Sequence, residues 1–204
     1  IRMCMRMFAL AAGMQLMKEE SGERKEWGNM GMEFKILDYL QNIRTSVGDA
    51  AMCFVTMLGD AGMIWILLTV ILLIIPKTRK SGVVLLAALC ADLILCNGIL
   101  KNLFARIRPC DINTQVQLLI ARPDDFSFPS GHTAASFTAV AALYFSGEKK
   151  LWKMALILAC LIAFSRLYLY VHYPTDILGG ILVGIVAGYI GYIVVNRCGT
   201  IQNR

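Results

Sequence analysis

Long apolar runs separated by short charged turns organise most of this chain. Residues 53–75, 83–104, 151–171 and 176–195 are each apolar over about the 20 residues that a membrane-spanning helix needs. A fifth run, 132–146, is shorter, about 22 Å as a helix at 1.5 Å per residue. Residues 33–47 follow another pattern. Ile36, Leu37, Leu40, Ile43 and Val47 recur at helical spacing with charges between them. This predicts an amphipathic helix, lying on a membrane surface or packed on the rest of the protein. The fold class expected is all-α: a polytopic membrane bundle of about five transmembrane helices plus an N-terminal amphipathic interfacial helix.

The ends read differently. An apolar run at 7–17 is too short to span, and the KEESGERKEWGN that follows is polar and mixed in charge. Residues 1–31 are therefore read as an extension outside the fold, with Met30 or Met32 as an alternative start. Residues 32–199 form the membrane domain and 200–204 a C-terminal tail.

Composition supports the membrane class: 57% of the 204 residues are hydrophobic and only 17% charged. The net charge of +6 is spread over the ends of apolar runs, not clustered with aromatics, which argues against nucleic acid. Lys77, Arg79 and Lys80 in one turn, and Lys149, Lys150 and Lys153 in another, mark those turns as cytoplasmic by the positive-inside rule. Loop 105–131 and the turn near 172–176 then lie on the outer side. The seven cysteines lack metal-ligand spacing and read as unpaired thiols, and no metal site is visible.

The unusual polar residues all fall on that outer side, in three stretches. In KNLFARIRP, Lys101 and Arg108 are seven residues apart, two helical turns, so a continued helix puts both cations on one face. Such a pair suits a phosphate, although snorkelling residues at a helix end would look the same. In FPSGH, Ser130 is a favoured N-cap, and Gly131 and His132 open the short apolar run. A helix N-terminus there presents free N–H groups to an anion. In SRLYLYVHYPTD, Pro174 interrupts the helix so that His172 and Asp176 face each other, while helical arithmetic puts Arg166 off the His172 face. A carboxylate on one imidazole nitrogen leaves the other as base or nucleophile. Asp92 and Asp60 read as structural, and Asp111, Asp124 and Asp125 as shaping the entrance to the site rather than binding an anion.

Taken together, these stretches resemble the signature of the type 2 phosphatidic acid phosphatase superfamily of membrane lipid phosphatases. Its pattern is a lysine, six residues, then Arg-Pro; a Pro-Ser-Gly-His; and a Ser-Arg, five residues, histidine, three residues, aspartate. Lys101 with Arg108-Pro109, Pro129-Ser130-Gly131-His132, and Ser165-Arg166 with His172 and Asp176 match it in order and spacing. The resemblance implies a helical membrane enzyme in which His172 attacks phosphorus, Asp176 orients it and His132 protonates the leaving oxygen. Lys101, Arg108, Ser130, Gly131 and Arg166 would hold the phosphate. It implies no cofactor and no metal. Its partners would be a lipid-linked phosphate and membrane lipids, with no obligatory protein partner, and its site would be outside the cell membrane. A short chain resembles bacterial enzymes that recycle undecaprenyl pyrophosphate. Phosphatidylglycerophosphate, phosphatidic acid and lipid A phosphates stay open. Two rivals are a vanadate-dependent haloperoxidase, disfavoured by the apolar spans, and a non-enzymatic lipid-phosphate binder, which would not need both histidines.

Overall fold

Among the described residues, 31–201, every regular element of the computed structural model is a helix. Helix α1 (31–42) is followed by α2 (Ser46–Gly59), a one-turn 3₁₀ bend (Asp60–Gly62) and α3 (Met63–Ile74). Helix α4 (Arg79–Asp92) runs through a π-helical stretch (Leu93–Leu100) into α5 (Lys101–Phe104), and α6 (Pro109–Ile112) is a single turn in the loop beyond. Helices α7 (Gly131–Phe145), α8 (Leu151–Tyr168) and α9 (Pro174–Ile201) complete the bundle. The expectations for residues 1–30 and 202–204 lie outside the described residues.

Among the described residues, four stretches are long and apolar enough to cross a membrane: Ser46–Ile74, Arg79–Ile112, Leu151–Tyr168 and Pro174–Arg197. The remaining run of the five is a helix of only 15 residues, α7, and it sits at the centre. Its Ala134, Ala139, Ala142 and Leu143 are fully buried, so it needs no lipid-facing surface of its own.

Small residues set that centre. Gly180, Gly184 and Gly188 recur every fourth residue along one face of α9 and lie against α7. A Cβ added at Gly184 would stand 2.6 Å from the Ala134 carbonyl, and one at Gly188 2.5 Å from Ala141 Cβ. The absent side chains let the two backbones close up, the usual way for membrane helices to associate. Beneath the site, Trp65, Leu72, Val84, Leu85 and Ile162 fill the core around α7.

Two expectations are corrected. The first apolar run is not one straight helix: it breaks at Asp60–Gly62, where Ala61 (φ 49°) and Gly62 (φ 67°) take left-handed backbone. The amphipathic helix stops at residue 42, and Val47 belongs to α2. It uses Leu37 and Leu40 to pack against the protein, Leu37 against Tyr170, Val171 and Tyr173, and leaves Ile36, Tyr39 and Ile43 exposed.

The two basic turns meet at one end of the bundle, where Ser81 Oγ donates to Glu148 at 2.7 Å. At the opposite end, Ser130 N–H donates to the Asp176 carbonyl at 3.1 Å and Ser127 N–H to the Arg106 carbonyl at 2.8 Å. The three polar stretches of the sequence converge there.

Candidate active site

How His172 reaches the site follows from the way α8 ends. Val171 N–H bonds the Arg166 carbonyl at 3.2 Å and Tyr170 N–H the Leu167 carbonyl at 3.0 Å, the paired bonds of a Schellman cap. The left-handed residue this cap requires is Tyr170 (φ 61°), not a glycine. Its ring is buried and its hydroxyl donates to Asp38 at 2.7 Å, which holds a conformation a tyrosine rarely adopts. The helix ends at Tyr168 and the chain reverses over this cap, so the helical arithmetic that set Arg166 off the His172 face does not extend to His172, and the Arg166 charge is felt at the ring.

Partners hold both edges of the His172 ring. Nδ1 lies 3.4 Å from Asp176 Oδ2, and Nε2 lies 3.1 Å from Arg108 Nη1. Because arginine only donates, Nε2 is the acceptor and the proton belongs on Nδ1. Burial above all, then the charges of Arg108 and Arg166, push the imidazolium down to about 3, against the hydrogen bond that Nδ1–H donates to Asp176. The ring is thus neutral near pH 7 with an unprotonated Nε2. Asp176 is itself fully engaged. Its Oδ2 also accepts from Tyr173 N–H at 2.8 Å and Ser127 Oγ at 2.5 Å, and its Oδ1 from Arg106 at 2.7 Å.

Lys101 and Arg108 do not share a helix face as their spacing predicted. The helix stops at Phe104, Ala105 takes φ 44° and Arg108 is extended, because Pro109 disfavours helix at the residue before it. The two cations still meet through tertiary structure, since both grip the Asp125 carboxylate. Asp125, expected only to shape the entrance, therefore sits on the cations. Its carboxyl, which burial would raise, is held down at about 2 by Lys101 and then Arg108. Arg108 also donates to the carbonyls of Asp125 and Val171, each at 2.8 Å.

The N-terminus of α7 faces the same space. Ser130 caps it, accepting from Thr133 Oγ1 at 3.0 Å. A Cβ on Gly131 would lie 3.6 Å from Lys101 Nζ, so the ammonium rests against the open helix end. His132 follows, its Nε2 2.8 Å from Asp60 Oδ1. Arg166, buried, donates to Thr56 Oγ1 at 2.5 Å, and its Nε has no hydrogen-bond partner among the described residues. A buried donor without an acceptor is suited to an incoming oxyanion. A cavity of about 620 Å³ opens from Gly131, His132 and Lys101 and runs between α3 and α4 along Ile66, Val70, Leu86 and Leu89.

All eight site residues expected from the sequence thus gather at one end of the bundle. Four more come with them: Asp60, Arg106, Asp125 and Glu33, which accepts from Arg106 at 2.6 Å. One of the four left a legible signal. GDAG inside an apolar run marks a break in the helix.

With this geometry, the chain can be set beside known proteins. Residues 80–199 match the family model of the PAP2 superfamily. Over 151 residues the chain is 34% identical to the undecaprenyl-diphosphatase of Sulfolobus acidocaldarius, spanning 74% of this chain and 71% of that one. It is 33% identical to undecaprenyl-diphosphatase BcrC of Bacillus subtilis over 161 residues, 77% of this chain and 79% of the relative. The crystal structure of a transmembrane PAP2 type phosphatidylglycerolphosphate phosphatase from Bacillus subtilis superposes with a TM-score of 0.67. The identity there is 27%, over 85% of this chain and 87% of the other.

Proposed function

The chain belongs to the PAP2 superfamily and is a multi-pass membrane lipid phosphatase, and on that premise we propose that it hydrolyses undecaprenyl pyrophosphate through a phosphohistidine on His172. The reading takes residues 32–199 as one phosphatase domain with 1–31 outside it. It places the site on the extracytoplasmic side, opposite the basic turns that carry Lys77, Arg79, Lys80, Lys149, Lys150 and Lys153.

The observation that carries it is the two-sided hold on His172. With Nδ1 on Asp176 and Nε2 accepting, the ring is a neutral nucleophile in fixed orientation. Nε2 forms a bond to phosphorus as the bond to the leaving oxygen breaks, and His132 hands that oxygen a proton. His132 then takes a proton from water, whose oxygen attacks phosphorus; the P–N bond breaks and phosphate departs. Lys101, Arg108 and Arg166, with Ser130 and the Gly131 amide, meet the phosphoryl oxygens as negative charge builds on them. In this reading three cations do the neutralising, and no metal ion is required. The apolar cavity between α3 and α4 suits a lipid tail leading away from the phosphate.

The test is phosphate release in detergent micelles containing EDTA. Undecaprenyl pyrophosphate, phosphatidic acid and phosphatidylglycerophosphate would be offered side by side, with His172→Ala as control. Release that survives EDTA and vanishes in the variant, fastest from the pyrophosphate, is the expected result. Preference for phosphatidylglycerophosphate would move the substrate to the lipid named for the Bacillus structure. Binding of all three without release would make the chain a binder.

A further inference from the structure

The second histidine has a carboxylate of its own. Asp60 lies outside the three polar stretches, 72 positions before His132, in the bend that divides the first apolar run. Two left-handed residues in succession, Ala61 and Gly62, make that bend inside a stretch that would otherwise continue as a helix. Strained backbone of this kind persists where the surroundings hold it, often at functional sites. Its effect here is to turn Asp60 towards the N-terminus of α7. Gly59 completes the seat: a Cβ there would come within 2.9 Å of His132 Cδ2. The Cδ2–Nε2 edge of the imidazole therefore rests on Gly59 and Asp60, with Nε2 2.8 Å from Oδ1. Nδ1 has no hydrogen-bond partner among the described residues, and the cavity that reaches Gly131 and Lys101 reaches His132 too.

We propose that Asp60 is the positioning residue of the leaving-group acid, holding the proton on Nε2 of His132 and presenting Nδ1 to the oxygen that departs and then to the water that replaces it. The inference rests on the phosphatase reading above. It makes the two histidines mirror images in role. Asp176 keeps the proton on Nδ1 of His172 and frees Nε2 to attack. Asp60 keeps the proton on Nε2 of His132 and assigns Nδ1 to proton transfer. In the first step the proton on Nδ1 passes to the leaving oxygen as the P–N bond forms and the P–O bond breaks; in the second, Nδ1 takes the proton of the attacking water. The charged groups around the ring are Asp60 from the bend, Arg166 from α8 and Lys101 from α5, with Asp125 on Lys101 and Asp92 farther along the cavity. Burial first, and then the two cations, oppose an imidazolium at this point, and Asp60 is the carboxylate that contacts the ring and works against them.

The experiment compares leaving groups. Wild type, Asp60→Asn and His172→Ala are assayed across pH on phosphatidic acid, whose alkoxide needs a proton to leave, and on p-nitrophenyl phosphate, whose phenolate does not. Asp60→Asn is expected to slow phosphatidic acid by about 10- to 100-fold, p-nitrophenyl phosphate by much less, and to move the alkaline limb of kcat to lower pH. Equal loss on both substrates with an unmoved limb, or no loss, overturns the proposal. If Asp60→Asn does not fold, Gly59→Ala, which pushes the ring off its seat, must show the same leaving-group dependence, and its absence is equally fatal. Wild type that releases nothing from either substrate or from undecaprenyl pyrophosphate, or His172→Ala that stays active, sinks the phosphatase reading itself. An active wild type with leaving-group-blind variants sinks only the role of Asp60.

Discussion

Arg106 donates to Asp176 Oδ1 at 2.7 Å while its other terminal nitrogen donates to Glu33 at 2.6 Å, so one guanidinium joins the carboxylate behind His172 to helix α1. Its plane lies over the Tyr173 ring, 3.9 Å from the centroid. Glu33 closes the link by accepting from Thr175 N–H at 3.2 Å, next to Asp176. Arg106→Gln removes a charged hydrogen bond worth about 1.5–3 kcal/mol and leaves Asp176 short of a donor. We expect kcat to fall by about 10- to 100-fold with KM little changed, Arg106→Lys to recover part of it, and Glu33→Gln to have a smaller effect in the same direction. Steady-state kinetics on one lipid phosphate checks all three.

Asp125 holds the two cations that the phosphate is proposed to use. Substrate must then displace a carboxylate, and removing that carboxylate should tighten anion binding. Because the Asp125 side chain is 52% exposed, the competition is screened and its effect modest. Asp125→Asn should lower the inhibition constants of phosphate and vanadate by about two- to fivefold. Unchanged or raised constants would show that Asp125 is not in competition.

The pH dependence of stability follows from His172. Its imidazolium is down at about 3 in the folded chain against an ordinary 6.5. Between those values the unfolded chain binds a proton that the folded one refuses, so the stabilising contribution is complete above about pH 6.5 and is lost as pH falls towards 3. The melting temperature in detergent should drop over that window, and His172→Gln should flatten the slope by the equivalent of about one proton. Parallel slopes for the two proteins would contradict the assignment.

Close approach of α7 and α9 predicts a packing defect with a catalytic consequence. Gly184→Ala puts a methyl 2.6 Å from the Ala134 carbonyl and 2.8 Å from the Phe137 Cβ, neighbours with little freedom to move. Overpacking of this kind costs about 1–3 kcal/mol. The melting temperature and kcat should fall together, since α7 and α9 carry His132 and Asp176. Leu182→Ala, at an exposed position on α9, should change neither by much.

How much was legible depended on how far apart the interacting residues stand in the chain. Asp176 follows His172 by four residues across Pro174, so their meeting could be read from one short stretch. Ser130 as the cap of α7 was equally local. The shared helix face of Lys101 and Arg108 was not there to be read, because it assumed a helix that ends at Phe104. Arg106, two positions before Arg108, gave no sign of serving Asp176, 70 positions onward. Asp125 looked repulsive to an anion, and in the fold it neutralises the cations in the anion's place.

The sequence by itself determined the class of the protein and the chemical groups of its site. Hydrophobic runs near the membrane's thickness leave the chain no soluble alternative, and motif spacing within a helix turn or a proline-broken loop translates directly into distance. That His132 has a carboxylate beside it as well, and what stands behind Asp176, was decided only in three dimensions. Asp60 reaches His132, and Arg106 reaches Asp176, because glycines on α9 let α7 close against it and because backbone bends at Ala61 and Ala105 redirect the chain. Those contacts depend on how helices distant in sequence pack, and local spacing carries no trace of that packing.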